Sequence, residues 1–224
     1  MHVQVALPVA GWAAWTAPQN APPDVSFIEP QVRRRLSFLD RMALHVLHAC
    51  VKPNEPAQLL FASRHGELAR SAHLLGQLAA QEVPSPMGFS LSVLNAAVGL
   101  YGIARGNRAA SSAISAGEAT FPMALLEAAC QACTAPQAAV VVVFADEPPP
   151  AVYAELVDSP KAPLALAVRM ESGAPATNME WEPSSADGDA EAGPSAFLRC
   201  MEEGVPSTWR GGGYAWRWSP HAAA

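Results

Sequence analysis

The spacing of apolar residues alternates along the chain between the period of an amphipathic helix and the continuous run of a buried strand. Apolar or alternating runs predict strands over residues 3–15, 57–63, 108–115, 138–149 and 163–170. Helical spacing predicts helices over residues 31–51, 66–81, 89–106, 119–134 and 195–203. Up to residue 170 the order is β-α-β-α-α-β-α-β-β, which is typical of an α/β layered sheet. The helix over 89–106 is apolar on nearly every side, so we expect it to be central and buried.

The chain changes character after residue 170. Residues 171–191 hold six acidic residues and no Lys or Arg, together with several Ser, Gly and Pro residues. This composition predicts an acidic flexible linker or surface loop over 171–193. Residues 194–224 hold a short helix and then three Trp and one Tyr within ten residues, which should pack onto the body. We therefore expect one domain over 1–170, followed by the linker and a packed tail.

Composition limits the partners that this protein can have. Half of the 224 residues are apolar, only 15% are charged, and the formal net charge is −6. Arginines cluster only at 33–35, which argues against nucleic acid or an anionic membrane as the main partner. No run reaches the roughly 20 apolar residues of a membrane span, and the first residues lack the pattern of a signal peptide. We therefore expect a cytoplasmic protein with protein partners.

The Cys and His residues do not predict a metal centre. The four cysteines, at 50, 130, 133 and 200, lack the spacing of a disulfide framework. The pair Cys130 and Cys133 resembles half of a metal or redox site, but no second pair completes it, and its Ala/Leu-rich surroundings favour a core helix. His45 and His48 lie three apart on a predicted helix and could share a metal, but again no further ligand pattern follows. We expect no cofactor and no metal.

One strand-to-helix turn carries the residue types of a serine nucleophile. Ser63, Arg64, His65 and Glu67 follow the predicted strand over 57–63. The stretch lacks the G-x-S-x-G elbow, and neighbours in sequence need not face one another in the fold. Two interpretations stay open: Ser63 and His65 act in a small hydrolase or acyltransferase, or the stretch serves as a turn and helix cap.

Longer segments of the chain resemble a known family. Residues 85–128, SPMGFSLSVLNAAVGLYGIARGNRAASSAISAGEATFPMALLEA, resemble the region of β-ketoacyl synthases that leads through a helix and a small-residue strand to the nucleophilic Cys. Glu118 falls on the position of that Cys. The segments RRRLSFLDRMAL, FASRHGEL, FSLSVLNAA and WRWS are similar to the short synthase-like chain length factors of aryl polyene clusters. The resemblance implies the N-terminal half of the thiolase-like fold, βαβαβαββ, with a C-terminal extension.

The resemblance also implies a subunit without condensing activity of its own. The thiol is replaced by a carboxylate, which is a weak nucleophile, and a mixed anhydride formed from it would hydrolyse readily. The catalytic His residues of the second thiolase half have no counterpart among the matched segments. Glu118 then has three possible roles: an acid that complements the helix dipole, a polar plug or interface group, or a charge that mimics a thiolate in decarboxylation. The partners implied are an active ketosynthase, as a heterodimer, and an acyl carrier protein.

The resemblance further suggests which residues meet these partners. The strand over 108–115, the helix over 92–103 and the turn at Glu118 would form the pairing surface. The candidate pocket and interface residues, each with core packing as its alternative, are Glu118, Phe89, Leu94, Asn95, Tyr101, Ala113, Ile114, Phe121 and Met123. A carrier protein could dock on Arg33, Arg34, Arg35 and Arg41, and a docking module without a pocket is a further alternative. Because half of a pseudo-symmetric fold leaves surface uncovered, we expect poor solubility of the chain alone.

Overall fold

The described residues form one mixed sheet with helices on both faces. The computed structural model describes residues 2–17, 21–53, 55–157, 162–186, 188–189 and 191–220. Its strands are β1 (Val3–Thr16), β2 (Ala57–Ala62), β3 (Ser111–Ile114), β4 (Ala139–Asp146), β5 (Leu164–Met170), β6 (Ala176–Pro183), β7 (Ser207–Gly211) and β8 (Tyr214–Pro220). Its α-helices are α1 (Pro30–Arg33), α2 (Phe38–Cys50), α3 (Leu68–Ala79), α4 (Pro86–Ser90), α5 (Ala96–Arg105), α6 (Thr120–Thr134) and α7 (Gly193–Glu203). Short 3-10 turns cover Gly117–Ala119 and Ala151–Tyr153.

The order of the strands across the sheet is β3-β2-β4-β5-β1-β6-β8-β7. Strands β3, β2 and β4 run parallel, and every other pair is antiparallel. The long strand β1 pairs with β6 through Val3–Pro8 and with β5 from Val9 to Thr16, with a register shift between Val9 and Gly11. β1 therefore joins the parallel part of the sheet to a second, antiparallel part.

Burial explains why the central strands form where they do. Every residue of β4 is buried, and its run of four valines fits a strand that is covered on both faces. Helix α2 covers one face with a core that includes Met42 and Leu44, and α5 packs beside it. Helices α6 and α7 cover the other face, where Leu125 and Phe197 are buried. The sheet thus separates two hydrophobic cores.

The helix predicted over 31–51 is divided into α1 and α2. Ser37 begins the second helix with a capping box: its Oγ accepts a hydrogen bond from the Asp40 amide at 2.9 Å, and its own amide donates to Asp40 Oδ2 at 3.2 Å. Because this reciprocal pair satisfies the free amides of a helix start, a new helix begins at Phe38.

The helix predicted over 89–106 is also divided, and the expectation that it is central and buried is wrong. It forms α4, which has no buried residue, and α5, which buries Ala96, Ala97, Val98 and Tyr101. Phe89 is 71% exposed and Ile103 is 84% exposed. Only one side of α5 faces the sheet, so the rest of its apolar surface lies outside the core of this chain.

The acidic stretch after residue 170 is part of the sheet, contrary to the expected linker. Strand β6 alternates, so that Thr177 and Met179 are buried while Glu180 and Glu182 lie on the more exposed side. The acids therefore mark the outer face of a strand. The tail supplies β7 and β8, and Trp216 and Trp218 are fully buried. The sheet runs on past the expected boundary at residue 170.

No helix within the described ranges is long and apolar enough to cross a membrane.

Candidate functional site

Three loops meet at the edge of the sheet where the parallel strands end. Ser63 follows β2, Ser115 follows β3, and Asp146 is the last residue of β4. Because the carboxyl ends of parallel strands lie at one edge, open α/β sheets place their ligand sites there. In this chain the edge holds two hydrogen-bonded networks and a cleft.

The first network joins the turn after β2 to the end of β4. The Ser63 hydroxyl donates to Asp146 Oδ1 at 2.7 Å and accepts from the Gly66 amide at 2.8 Å. The Arg64 amide donates to the same carboxylate oxygen at 2.9 Å. Burial raises the pKa of Asp146 to about 6, an effect that the hydrogen bonds from Ser63 and from the backbone of Arg64 and His65 partly offset. The network therefore fixes the turn onto β4.

This geometry bears on the two interpretations of the Ser63 turn. Ser63 is 0% exposed, and both of its hydrogen bonds hold the backbone turn in place. A nucleophile has to reach its substrate, which this hydroxyl does not do in the folded chain. His65 is partly buried and borders a small hollow beside the prolines at 148–150. The position of Ser63 therefore agrees with a role in the turn and does not agree with a role as nucleophile.

A second network, which sequence reasoning missed, holds the starts of α2 and α3 together. Arg70 donates to Glu67 Oε2 at 2.7 Å and to Asp40 Oδ2 at 3.2 Å, and the Ser37 hydroxyl donates to Glu67 Oε1 at 2.5 Å. Burial and the neighbouring Glu67 carboxylate raise the pKa of Asp40 to about 7, and Arg70 counteracts them. The spacing of Ser37 and Asp40 was the available signal, because it is that of a capping box.

Glu118 stands on the tight turn between β3 and α6. Gly117 has φ of +59°, a value that favours glycine, and the buried Thr120 hydroxyl accepts from the Ala116 amide at 2.9 Å and donates to the Gly117 carbonyl at 2.7 Å. The Glu118 side chain is exposed, and its Oε2 accepts a hydrogen bond from the Gly212 amide at 2.8 Å. Its partner thus lies in the same chain, at the turn between β7 and β8, which the sequence did not indicate.

The β7–β8 turn rests directly on the Glu118 turn. Gly212 has φ of +62°, and a Cβ atom built on it would lie 3.0 Å from the Ala119 Cβ atom and 3.3 Å from the Ala119 amide nitrogen. Only glycine fits both the backbone conformation and this approach without a shift. The C-terminal hairpin is therefore anchored at the position that the family resemblance gives to the nucleophile.

A cleft of about 660 Å³ opens beside this contact, between the hairpin and the starts of α6 and α7. Phe121 and Phe144 lie along its apolar side, and Arg64, Glu118 and Arg210 along its polar side. The two phenylalanine rings pack edge to face with centroids 5.5 Å apart. Of the nine candidate pocket residues, Glu118 and Phe121 line this cleft.

The other candidate pocket residues lie apart from one another. Ile114 and Met123 pack with Phe121 on the α6 face of the sheet. Leu94, Tyr101 and Ala113 pack on the α2 face. Phe89 and Asn95 are exposed beside them. Within this chain the nine residues therefore do not converge on one cavity.

The four candidate docking arginines lie together at the junction of α1 and α2. Arg34 and Arg35 are exposed, whereas Arg33 and Arg41 are partly buried. The Arg41 guanidinium donates to the Arg33 carbonyl at 2.7 Å, which holds the junction in shape. The side chains of Arg34 and Arg35 thus place two adjacent positive charges in solvent at the junction of α1 and α2.

Among the described residues, no group of three or more His, Cys, Asp or Glu could hold a metal ion. His45 Nδ1 accepts from the Asp24 amide at 3.1 Å, and the His48 ring stacks on Phe27 with centroids 4.0 Å apart. Cys130 and Cys133 lie on a helix that packs on the core, as expected, but both thiols are on its exposed side. Ala128, Ala129 and Ala132 face the core in their place.

Similarity to solved structures gives this geometry a family context. A chain of the complex described as a ketosynthase (ApeO) with its chain length factor (ApeC) from Xenorhabdus doucetiae matches with a TM-score of 0.82 and 26% identity, covering 96% of this chain and 99% of that one. The ishigamide ketosynthase/chain length factor matches with a TM-score of 0.59 and 15% identity, over 82% of this chain and 59% of that one. A β-ketoacyl synthase from Burkholderia phymatum matches with a TM-score of 0.54 and 12% identity, over 76% of this chain and 53% of that one. The last two show the fold alone.

No curated protein matches this chain in sequence. The family model described as the β-ketoacyl synthase N-terminal domain matches residues 11–219. With the match to the ketosynthase and chain length factor complex, it confirms the expected thiolase-like α/β fold. Because this match spans almost the whole chain, the protein belongs to the β-ketoacyl synthase family, in the part described as its N-terminal domain.

Proposed function

We propose that this chain is a non-catalytic subunit of the chain length factor type, which pairs with an active ketosynthase in aryl polyene synthesis. The observation that carries the proposal is the hydrogen bond that the Glu118 carboxylate accepts from the Gly212 amide. Glu118 lies on the turn that the sequence resemblance matches to the family's nucleophile. The similarity to a chain of a ketosynthase and chain length factor complex, which covers both chains almost end to end, supports the same assignment.

The alternative of a small hydrolase or acyltransferase is not supported by the residues that would act as its nucleophile. Ser63 is buried and hydrogen-bonded on both sides. Glu118 is a carboxylate, whose acyl adduct would be a mixed anhydride that water destroys. The chemistry of condensation therefore falls to the partner, and this chain contributes surface and shape.

The pairing surface that we propose is the β3 side of the molecule. β3 is the outermost strand of the sheet, and Ser111 and Ser112 on it are exposed. A short edge strand with small side chains can continue its ladder into a second subunit. Large apolar side chains lie exposed on the neighbouring segments: Leu75, Leu78, Val83, Met87, Phe89, Val93 and Ile103. Exposed apolar residues in such number mark an interaction surface.

Phe89 is the residue that we propose to reach the partner's acyl pocket. It is exposed on the pairing surface, whereas Tyr101 and Phe121 are buried in the cores of this chain. A single side chain at the floor of an apolar tunnel limits how many methylene groups fit. Phe89→Ala should therefore lengthen the product while the heterodimer persists.

The exposed pair Arg34 and Arg35 favours a second contribution, which is docking of an acidic acyl carrier protein. Attraction between an arginine corner and an acidic partner weakens as salt screens the charges. If docking were the whole function, two results would follow. The double variant Arg34→Ala with Arg35→Ala would bind the carrier protein more weakly, and Phe89→Ala would leave the product length unchanged.

The proposal is tested by co-expression with the ketosynthase encoded nearest to it. We expect a one-to-one complex in size exclusion, and condensing activity that is lost when the partner's Cys is replaced but survives Glu118→Ala. The chain expressed alone should be poorly soluble, because its pairing surface is uncovered. Turnover of acyl thioesters by the isolated chain, lost in Glu118→Ala, would contradict the proposal.

A further inference from the structure

Two thiols lie side by side on the solvent face of α6. Cys130 and Cys133 are three residues apart and both are exposed, while Ala128, Ala129 and Ala132 take the buried positions of the same turns. Residues at this spacing on a helix are neighbours, with Cβ atoms about 5–6 Å apart. A disulfide needs Cβ atoms about 3.5–4.5 Å apart, so the intact helix favours an atom that bridges the two sulfurs over a direct bond.

The end of α6 places negative charge around the two thiols. The helix ends at Thr134, one residue after Cys133, and its last turn, which is fully described, carries no basic residue. The carboxyl end of a helix carries about half a negative charge, which a nearby cation stabilises. One turn before Cys130 lies the exposed Glu127, whose Oε1 accepts from Gln131 Nε2 at 2.8 Å. Two free thiolates in this field would carry two negative charges, whereas their complex with one monovalent cation carries one, so the field disfavours the free dithiolate more than the complex.

The number of ligands selects the kind of ion. Zinc in a structural site takes four protein ligands, and no group of three or more suitable side chains occurs in the described part of the chain. Thiolates prefer soft ions such as Cu(I). Cu(I) is stable with two ligands, which is the number that this face supplies.

We propose that Cys130 and Cys133 form a two-coordinate chelate for a single soft monovalent ion of the Cu(I) type. On binding, each thiol loses one proton to solvent and forms one sulfur–copper bond, and the copper stays Cu(I). The site lies outside the cleft and outside the proposed pairing surface, so it stands independently of the proposed function.

The test is anaerobic titration of the reduced full chain with Cu(I) against a coloured Cu(I) chelator, in its heterodimer if the chain alone is insoluble. The variants are Cys130→Ser, Cys133→Ser and the double variant Cys133→Ser with Gln131→Cys. The last one keeps the number of thiols but moves the second thiol about 100° round the helix from Cys130. The buried Cys50 and Cys200 remain in every variant as an internal control.

We expect one Cu(I) per chain, release of two protons and a thiolate-to-copper absorption band. Each single Cys variant and the relocated variant should bind Cu(I) about 100-fold or more weakly, because the second thiolate no longer acts at high effective concentration. Equal binding by the wild type and the relocated variant would overturn the proposal. So would two weakly bound ions per chain, or copper-dependent dimers that join thiols of different chains.

Discussion

The two flanks of the sheet differ in how they treat their apolar side chains. On the flank formed by β6, β8, β7 and α7, an aromatic cluster is closed: Phe121, Phe197 and Trp218 pack with ring centroids 5.4–6.3 Å apart and are almost fully buried. On the flank formed by α3, α4, α5 and β3, Phe89, Ile103 and Val83 are exposed. We call the first the closed flank, because its apolar side chains are buried, and the second the open flank, because its apolar side chains are exposed.

The contrast shows which apolar surfaces of the sheet are covered by other elements of the same chain. Strands β6–β8 continue the sheet beyond β1, and α7 with them covers the α6 face. The β3 flank has no such covering element among the described residues. Stability should therefore depend on the closed flank, and partner binding on the open one.

The strongest test compares one large aromatic residue from each flank. Trp218→Ala should lower the free energy of unfolding by about 3–5 kcal/mol, because it leaves a cavity in the closed cluster. Phe89→Ala should change it by less than about 0.5 kcal/mol, because the side chain is exposed. Urea unfolding followed by tryptophan fluorescence and circular dichroism measures both. Similar losses in the two variants would contradict the division between the flanks.

A charge placed on the open flank should affect binding and leave folding intact. Ile103→Glu is expected to cost at least about 2 kcal/mol of heterodimer affinity, roughly 30-fold in Kd, because a carboxylate would be desolvated in an apolar interface. Val152→Glu, which adds the same charge at an apolar side chain exposed elsewhere on the surface, is the matched control. Binding of the purified ketosynthase to each variant gives the answer. Undiminished affinity in Ile103→Glu would move the interface away from α5.

The free energy of unfolding should depend on pH through two buried carboxyl groups, those of Asp146 on β4 and Asp40 on α2. The pKa of Asp146 is raised to about 6 and that of Asp40 to about 7 from an ordinary value of 3.8, so the folded chain binds more protons than the unfolded chain between these values. The free energy of unfolding therefore falls as the pH rises from about 4 to about 7. Asp146→Asn should flatten the lower part of this slope in urea unfolding.

The control for this pH dependence is Asp24→Asn. Hydrogen bonds from Ser26 hold the pKa of the exposed Asp24 below its usual value, so this carboxyl does not contribute to the slope above pH 4. Its replacement should leave the slope between pH 4 and 7 unchanged. If the free energy of unfolding of Asp146→Asn fell with pH as steeply as that of the wild type, the pH dependence would come from other groups.

The smallest expected effect concerns the link between Glu118 and the hairpin. Glu118→Ala removes one hydrogen bond to the Gly212 amide and should cost about 0.5–1.5 kcal/mol, with faster hydrogen exchange at that amide. Glu118→Gln keeps an acceptor oxygen and should lose less. If the two variants behaved alike, the side-chain oxygen would not be holding the hairpin.

Sequence patterns predicted the parallel part of the fold well. Strand β4, with its run of valines, and helix α6, with its helical spacing of apolar residues, are predictable because their patterns are local in the sequence. The division at Ser37 was also readable, as a capping box. Strand β6 was missed because the acids on its outer face suggested a linker, although Thr177, Met179 and Trp181 alternate as a strand requires.

The site was less predictable, because its contacts join distant parts of the chain. The position of Glu118 on a tight turn followed from the family resemblance, but its bond to Gly212 spans 94 residues. The Ser63 contact to Asp146 spans 83 residues. No local pattern encodes such pairs, since the topology of the sheet alone brings the loops together.

The pairing of β1 has a consequence for how the protein is made. β1 lies between β5 and β6, so residues near 3 find their neighbours only near 180, and β6 in turn waits for β8 at Tyr214–Pro220. At a synthesis rate of about 5–20 residues per second, the first strand stays without its ladder for roughly ten seconds or more. During that interval the edges of β1 are unpaired, and unpaired strand edges make folding intermediates prone to aggregation. Pairing between residues so far apart predicts late folding, because the sheet cannot be completed before Tyr214–Pro220 has been synthesised.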